Sequence, residues 1–75
     1  MESTALAYLA SGIGAAGVTL GAAFGIGKLA SAAMHGIARQ PESAGDIRGA
    51  MIITAAMIEG VALLSAAICF LLSIK

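Results

Sequence analysis

The sequence predicts an all-α membrane protein: a hairpin of two transmembrane helices that assembles into a homo-oligomeric ring. Three observations predict it. The 75 residues are 60% hydrophobic and only 11% charged, with two Phe, one Tyr and no Trp, too little polar surface to cover a soluble core of that size. The charged residues leave two quiet runs, Ser3 to Gly27 and, Glu59 apart, Gly49 to Ile74. Each exceeds the roughly 20 residues that cross a hydrocarbon core. Third, small residues line both flanks of the first run, which suits a like helix on either side.

The formal net charge of zero points neither to nucleic acid nor to an acidic partner. Ala5-Leu6-Ala7 resembles a signal-peptidase pattern, but no basic region precedes it and Glu2 is acidic. The chain is therefore read as beginning at its native Met1. Cys69 is the single cysteine, so no disulfide forms within the chain, and its expected role is that of a small apolar residue.

The first helix is predicted over residues 3–39, capped by Ser3 or Thr4. Tyr8, about one turn in, falls at the depth where an amphipathic ring favours the membrane interface. Gly17, Gly21 and Gly25 form one small-xxx-small stripe, and Ala15, Thr19, Ala23 and Gly27 form a second. At about 100° per residue the stripes are offset by about 200° and occupy opposite flanks. One flank suffices for a dimer; two fit the head-to-tail contacts that close a ring. The competing reading of the same glycines is compositional bias. From Lys28 the helix turns amphipathic through Ser31, His35 and Arg39, with Lys28 snorkelling towards the loop-side interface and His35 interfacial.

A polar turn follows at residues 40–43. Pro41 pushes the residue before it out of the helical region and can itself open the next helix. The second helix is predicted over residues 44–74, with Glu42 and Asp46 favoured by the positive end of its dipole. Lys28, Arg39 and Arg48 cluster on the loop side against Lys75 at the termini, which puts the loop in the cytoplasm and both ends outside.

Two nucleotide motifs fail on context. Gly12-Ile13-Gly14-Ala15-Ala16-Gly17 fits GxGxxG but lies inside an apolar helix after no strand. Gly27-Lys28 lacks both the upstream glycine, where Ala22 stands, and the following hydroxyl, where Leu29 stands. No catalytic triad, metal cluster or cofactor motif is expected.

Glu59 is the centre of the chemistry. An ionised carboxylate at mid-membrane costs about 3 kcal/mol on insertion scales, so the group either carries a proton or meets a cation. The apolar surroundings disfavour the charged form. A group that loads a proton in lipid and releases it in a polar channel is a proton carrier, provided that it meets water alternately on each side. A ring turning past a separate partner provides that alternation.

These residues resemble a known family. The Gly-rich first helix, the turn Ala38-Arg39-Gln40-Pro41-Glu42 and a carboxylate twenty residues after Arg39 are similar, over essentially the whole chain, to the c subunit of the rotary F-type ATP synthase. The resemblance implies that Glu59 is the reversibly protonated site, that Arg39, Gln40 and Pro41 contact the central stalk, and that Gly17, Gly21, Ala23, Gly25 and Gly27 pack the inner helices of the ring. It further implies the a subunit of the stator, the stalk subunits gamma and epsilon and membrane lipid as partners, a bacterial inner-membrane location, and no catalytic site in this polypeptide. Sodium-binding members carry a Gln on the first helix, a Ser or Thr after the Glu and often a Tyr further on. Here Ile26, Gly60 and Leu64 stand in those places and offer no side-chain oxygen, so protons are the expected coupling ion. The carboxyl's own hydrogen bond is then expected at a backbone carbonyl, that of Met57 being one candidate. The rival readings are a structural or pore-forming hairpin and a single-copy accessory subunit. Neither explains a lone mid-membrane Glu together with small residues on both flanks.

Overall fold

A computed structural model describes residues 2–75; Met1, read above as the native start, lies outside them. Two helices, α1 (Ser3–Arg39) and α2 (Ala44–Ser73), lie antiparallel as a hairpin of 58 × 15 × 9 Å. Both are long and apolar enough to cross a membrane. At about 1.5 Å per residue each helix outreaches a hydrocarbon core of about 30 Å, so the ends stand in the headgroup regions.

The turn forms as the chemistry of proline dictates. Gln40 leaves the helical region at φ −134° and ψ 74°, as the residue before a proline is pushed to do, while its N–H still closes the last turn of α1 on the Gly36 carbonyl at 2.9 Å. Pro41 then opens a single 3₁₀ turn, Pro41–Ser43, in which the Ser43 N–H donates to the Gln40 carbonyl at 2.9 Å before α2 begins. Arg39 in the last turn of α1 and Asp46 in the first turn of α2 each complement the dipole of their helix. At the other end of α1 the cap is not Ser3 or Thr4. Glu2 is the N-cap, in an extended conformation and without a side-chain capping bond, and both hydroxyl residues lie inside the helix. The first turn protrudes where water and headgroups can satisfy its N–H groups, so a side-chain cap contributes little there.

Packing between the helices follows an eleven-residue rhythm. A Cβ built on Gly14, Gly25 or Gly36 would meet Cys69 Sγ at 2.6 Å, Ile58 Cδ1 at 3.6 Å or Ile47 Cδ1 at 3.4 Å. Both partners of each contact recur every eleven positions, three helical turns apart, so small residues on α1 take up larger ones on α2 at a constant register. Eleven residues over three turns is about 3.67 per turn, the repeat that favours a right-handed supercoil. Near the termini the buried Ser11 hydroxyl donates across the pair to the Cys69 carbonyl. Thr19 and Thr54 instead donate to the carbonyls one turn back, of Ala15 and Ala50, each at 2.9 Å, and so leave no bare hydroxyl in lipid.

Almost nothing is enclosed. Among the described residues only Ser11 and Ala33 are buried, while Leu20 and Phe24 are each 72% exposed and large apolar side chains face outward along both helices. A helix pair that is apolar all round cannot rest in water; its outer surface belongs to lipid or to further protein.

Candidate functional site

Glu59 lies in the thirty-residue α2 about 22 Å from either end, given about 1.5 Å per residue. Its neighbour Ile58 packs over Gly25, so the carboxyl is level with Phe24 and Gly25 of α1. The side chain is exposed in the single hairpin and borders an open groove of about 540 Å³ between the helices. Val18, Thr19, Ala22, Ala23, Ile26 and Gly27 line it from α1, and Ala62, Leu63 and Ala66 from α2.

No second ionisable group lines this groove, and its one other side-chain oxygen is that of Thr19, which is already committed to the Ala15 carbonyl. Among the described residues the side-chain hydrogen bonds are those of Ser11, Thr19, His35, Thr54 and Ser73, none of which reaches Glu59. A single carboxyl thus stands in an apolar cleft that is walled on one flank and open on the other. Such a site can hold one proton, and it offers a cation no set of oxygen ligands.

The structure brings together only some of the residues that the sequence singled out. Ile26, Ala23 and Gly27 share the groove with Glu59. Met57 is 67% exposed and points away, and neither it nor Gly60 borders the groove. The stripe through Gly17, Gly21 and Gly25 is divided: Gly17 and Gly21 face open space, whereas Gly25 is against Ile58 of the same hairpin. Gly27 also meets nothing within 4 Å. Arg39, Gln40 and Pro41 are all exposed at the tip, far from Glu59 along the hairpin. His35 Nδ1 is 2.8 Å from the Ser31 carbonyl, one turn back on its own helix and on the loop side of the groove.

Lys28 departs from the expected snorkelling. Its ammonium does not reach for the loop; it lies 5.8 Å from the centroid of the Phe24 ring, one turn deeper into the span. Helical side chains lean towards the N-terminus of their helix, and on α1 that direction leads away from the loop.

Three further residues, Ser11, Gly14 and Gly36, belong to the helix interface without having been expected there. For the two glycines the signal is the eleven-residue recurrence of Gly14, Gly25 and Gly36, which a four-residue spacing passes over; a lone Ser11 carries no such signal.

A hairpin of two membrane-length helices with one carboxyl at mid-span defines a small ion-handling membrane protein. The family model for the C subunit of ATP synthase matches residues 4–72, and the chain belongs to that family. It is 54% identical over 66 residues to an ATP synthase c subunit of Phocaeicola vulgatus, covering 88% of this chain and 79% of that protein. With the c subunit of the Bacteroides thetaiotaomicron ATP synthase it shares 52% identity over 75 aligned residues, covering 95% and 88%. The corresponding ATP synthase c subunit of Lactobacillus helveticus is 44% identical over 70 residues, covering 93% and 91%. No solved structure matches the chain.

Proposed function

We infer that this chain is the proton-carrying rotor subunit of the membrane sector of an F-type ATP synthase. The observation that carries the reading is Glu59, a lone carboxyl midway along a membrane-spanning helix at the rim of an apolar groove, in a chain of the ATP synthase c-subunit family. Copies of the hairpin pack flank to flank into a ring, with the small residues Gly17 and Gly21 on one side and Ala23 and Gly27 on the other allowing close approach. A protonated Glu59 is neutral and passes through lipid; at the stator's a subunit it meets a polar channel and a cation, ionises, and takes a proton from the opposite side before turning on. Each charge moved across the membrane draws about 2.3 kcal/mol per 100 mV, so several protons must be coupled to one costly synthesis.

The exposed tip at Arg39, Gln40 and Pro41 carries the torque to the central stalk of gamma and epsilon subunits. The polypeptide itself is non-catalytic, and the chemistry of ATP belongs to the head of the complex. The loop is cytoplasmic and both termini lie on the outer side of a bacterial inner membrane, as the positive charge of Arg39 and Arg48 on the loop side favours.

The coupling ion is the proton. Ile26 borders the carboxyl where a sodium site needs an oxygen, Gly60 and Leu64 supply none, and the Thr19 hydroxyl is engaged. The test is dicyclohexylcarbodiimide labelling of the assembled protein across pH, followed by peptide mapping. Labelling confined to Glu59, falling as pH rises and unaffected by sodium, is the expected result. Protection by sodium at neutral pH would replace protons by sodium as the cargo, and failure of Glu59 to label at all would remove it as the carrier.

A further inference from the structure

Lys28 places a positive charge where a proton carrier can least tolerate one. Glu59 is level with Phe24, and the Lys28 ammonium lies 5.8 Å from the centroid of the Phe24 ring, which keeps the cation within about one helical turn of the carboxyl's level. Within a single hairpin the body of α1 separates them. Ile26 lines the Glu59 groove, whereas Phe24 and Lys28 are each two residues from Ile26 and thus about 200° around the helix from it. Flank-to-flank packing then brings the Lys28 side of one copy to the Glu59 side of the next. No other ionisable side chain borders that groove from either helix. On α2 the nearest charged group to Glu59 is Arg48, three turns away towards the loop; on α1 His35, held at the Ser31 carbonyl, lies two turns and Arg39 three turns loopward of Lys28.

An ammonium free to swing in that contact would pair with the neighbour's carboxylate. The pair is neutral as a whole, so it could pass through lipid without a proton, and transport would stop. Phe24 is 72% exposed in the single hairpin. Its ring lies near the 6 Å limit at which an aromatic face attracts an ammonium, an attraction that grows when water is excluded.

We propose that Phe24 is a positioning residue for the proton step: its ring holds the Lys28 ammonium back on its own helix, away from the Glu59 of the adjacent copy, so that the proton alone sets the charge of that carboxyl. This rests on the ring reading above, and the test keeps the two separable.

The experiment uses the whole ATP synthase in native membranes with Phe24→Leu, Phe24→Tyr, Lys28→Met and the double variant Phe24→Leu/Lys28→Met. Ring assembly is read by native mass spectrometry, Glu59 by carbodiimide labelling across pH, and transport by ATP-driven proton pumping. With Phe24→Leu the pH at which labelling is half lost moves down by about one unit or more, as an opposite charge at close range demands, and pumping falls. Phe24→Tyr keeps the ring face and the wild-type profile, and the double variant returns to it. Lys28→Met alone leaves labelling where it was, because the ammonium is already held away. An assembled Phe24→Leu ring that labels as wild type, or a double variant no better than Phe24→Leu, overturns the proposal. So does a Lys28→Met ring whose labelling extends about one unit higher in pH, a result that holds even if Phe24→Leu does not assemble. A wild-type protein that yields no ring at all removes the ring reading and this inference with it.

Discussion

At the scale of single residues the molecule reduces to one carboxyl and what surrounds it. Glu59 is the only ionisable group in its groove, and a charge held at mid-membrane costs about 3 kcal/mol or more, so on the proposed reading its two protonation states belong to two places, lipid and channel. Glu59→Gln keeps size and polarity but cannot ionise. We expect rings that assemble normally, take no carbodiimide label at that position and pump protons at background level in a fluorescence-quenching assay. Residual pumping in that variant would move the carrier elsewhere. That Glu59 stands alone near the middle of its apolar run was legible in the sequence, since no other charge falls between Arg48 and Lys75, and it lies mid-way along α2. The direction of the Lys28 side chain was not. Snorkelling is set by where the nearest favourable contact lies, and here the Phe24 ring is one turn back, in the direction that helical side chains already lean.

Among the elements, the glycines of α1 have different surroundings. Gly14 lets α2 approach so closely that a methyl group there would stand 2.6 Å from Cys69 Sγ, while a methyl group on Gly17 or Gly21 would meet nothing within 4 Å in the hairpin. Gly14→Ala is therefore expected to destabilise the hairpin itself by about 1–3 kcal/mol, the usual range for overpacking, with Cys69→Ala offsetting the loss. Gly17→Ala is expected to leave the isolated hairpin intact and, if copies pack as proposed, to weaken the contact between them. Thermal melts followed by circular dichroism report the first effect, and the temperature at which the ring dissociates on a gel reports the second. Ser11→Ala removes the bond to the Cys69 carbonyl, and a loss of about 0.6 kcal/mol is expected, the average for such bonds between membrane helices. A four-residue glycine spacing is visible in any sequence. Whether a given glycine serves its own hairpin or a neighbour depends on the register of α2 against α1, and that register is a property of the pair.

For the whole molecule, an unenclosed apolar surface and an exposed polar tip set the expectations. With only Ser11 and Ala33 buried among the described residues, the hairpin lacks a core of its own, and its stability depends on what covers its outer surface, lipid or further protein. Gently solubilised protein should therefore run as an integral multiple of the 7.3 kDa chain in native mass spectrometry, and a predominantly monomeric species would count against the ring. Arg39→Ala alters a side chain at the exposed tip, far from the groove. We expect rings that still label at Glu59 while ATP hydrolysis no longer drives proton pumping, an uncoupling measured by comparing the two rates in the same vesicles.

Much of this was determined by the sequence alone. Composition and the length of its apolar runs require two membrane helices, Pro41 requires a break between them, and the isolation of Glu59 makes it the candidate site, because each rests on solvation or local backbone sterics that act within one segment. What only the tertiary structure decided is how the segments meet: the eleven-residue match of Gly14, Gly25 and Gly36 to Cys69, Ile58 and Ile47, the groove that joins Glu59 to Ile26, and the placing of Lys28 over Phe24, the residue level with Glu59. The physical reason is that depth and facing are relations between two helices. Each helix satisfies its own backbone hydrogen bonds at any offset from its partner, so side-chain packing across the pair selects the register.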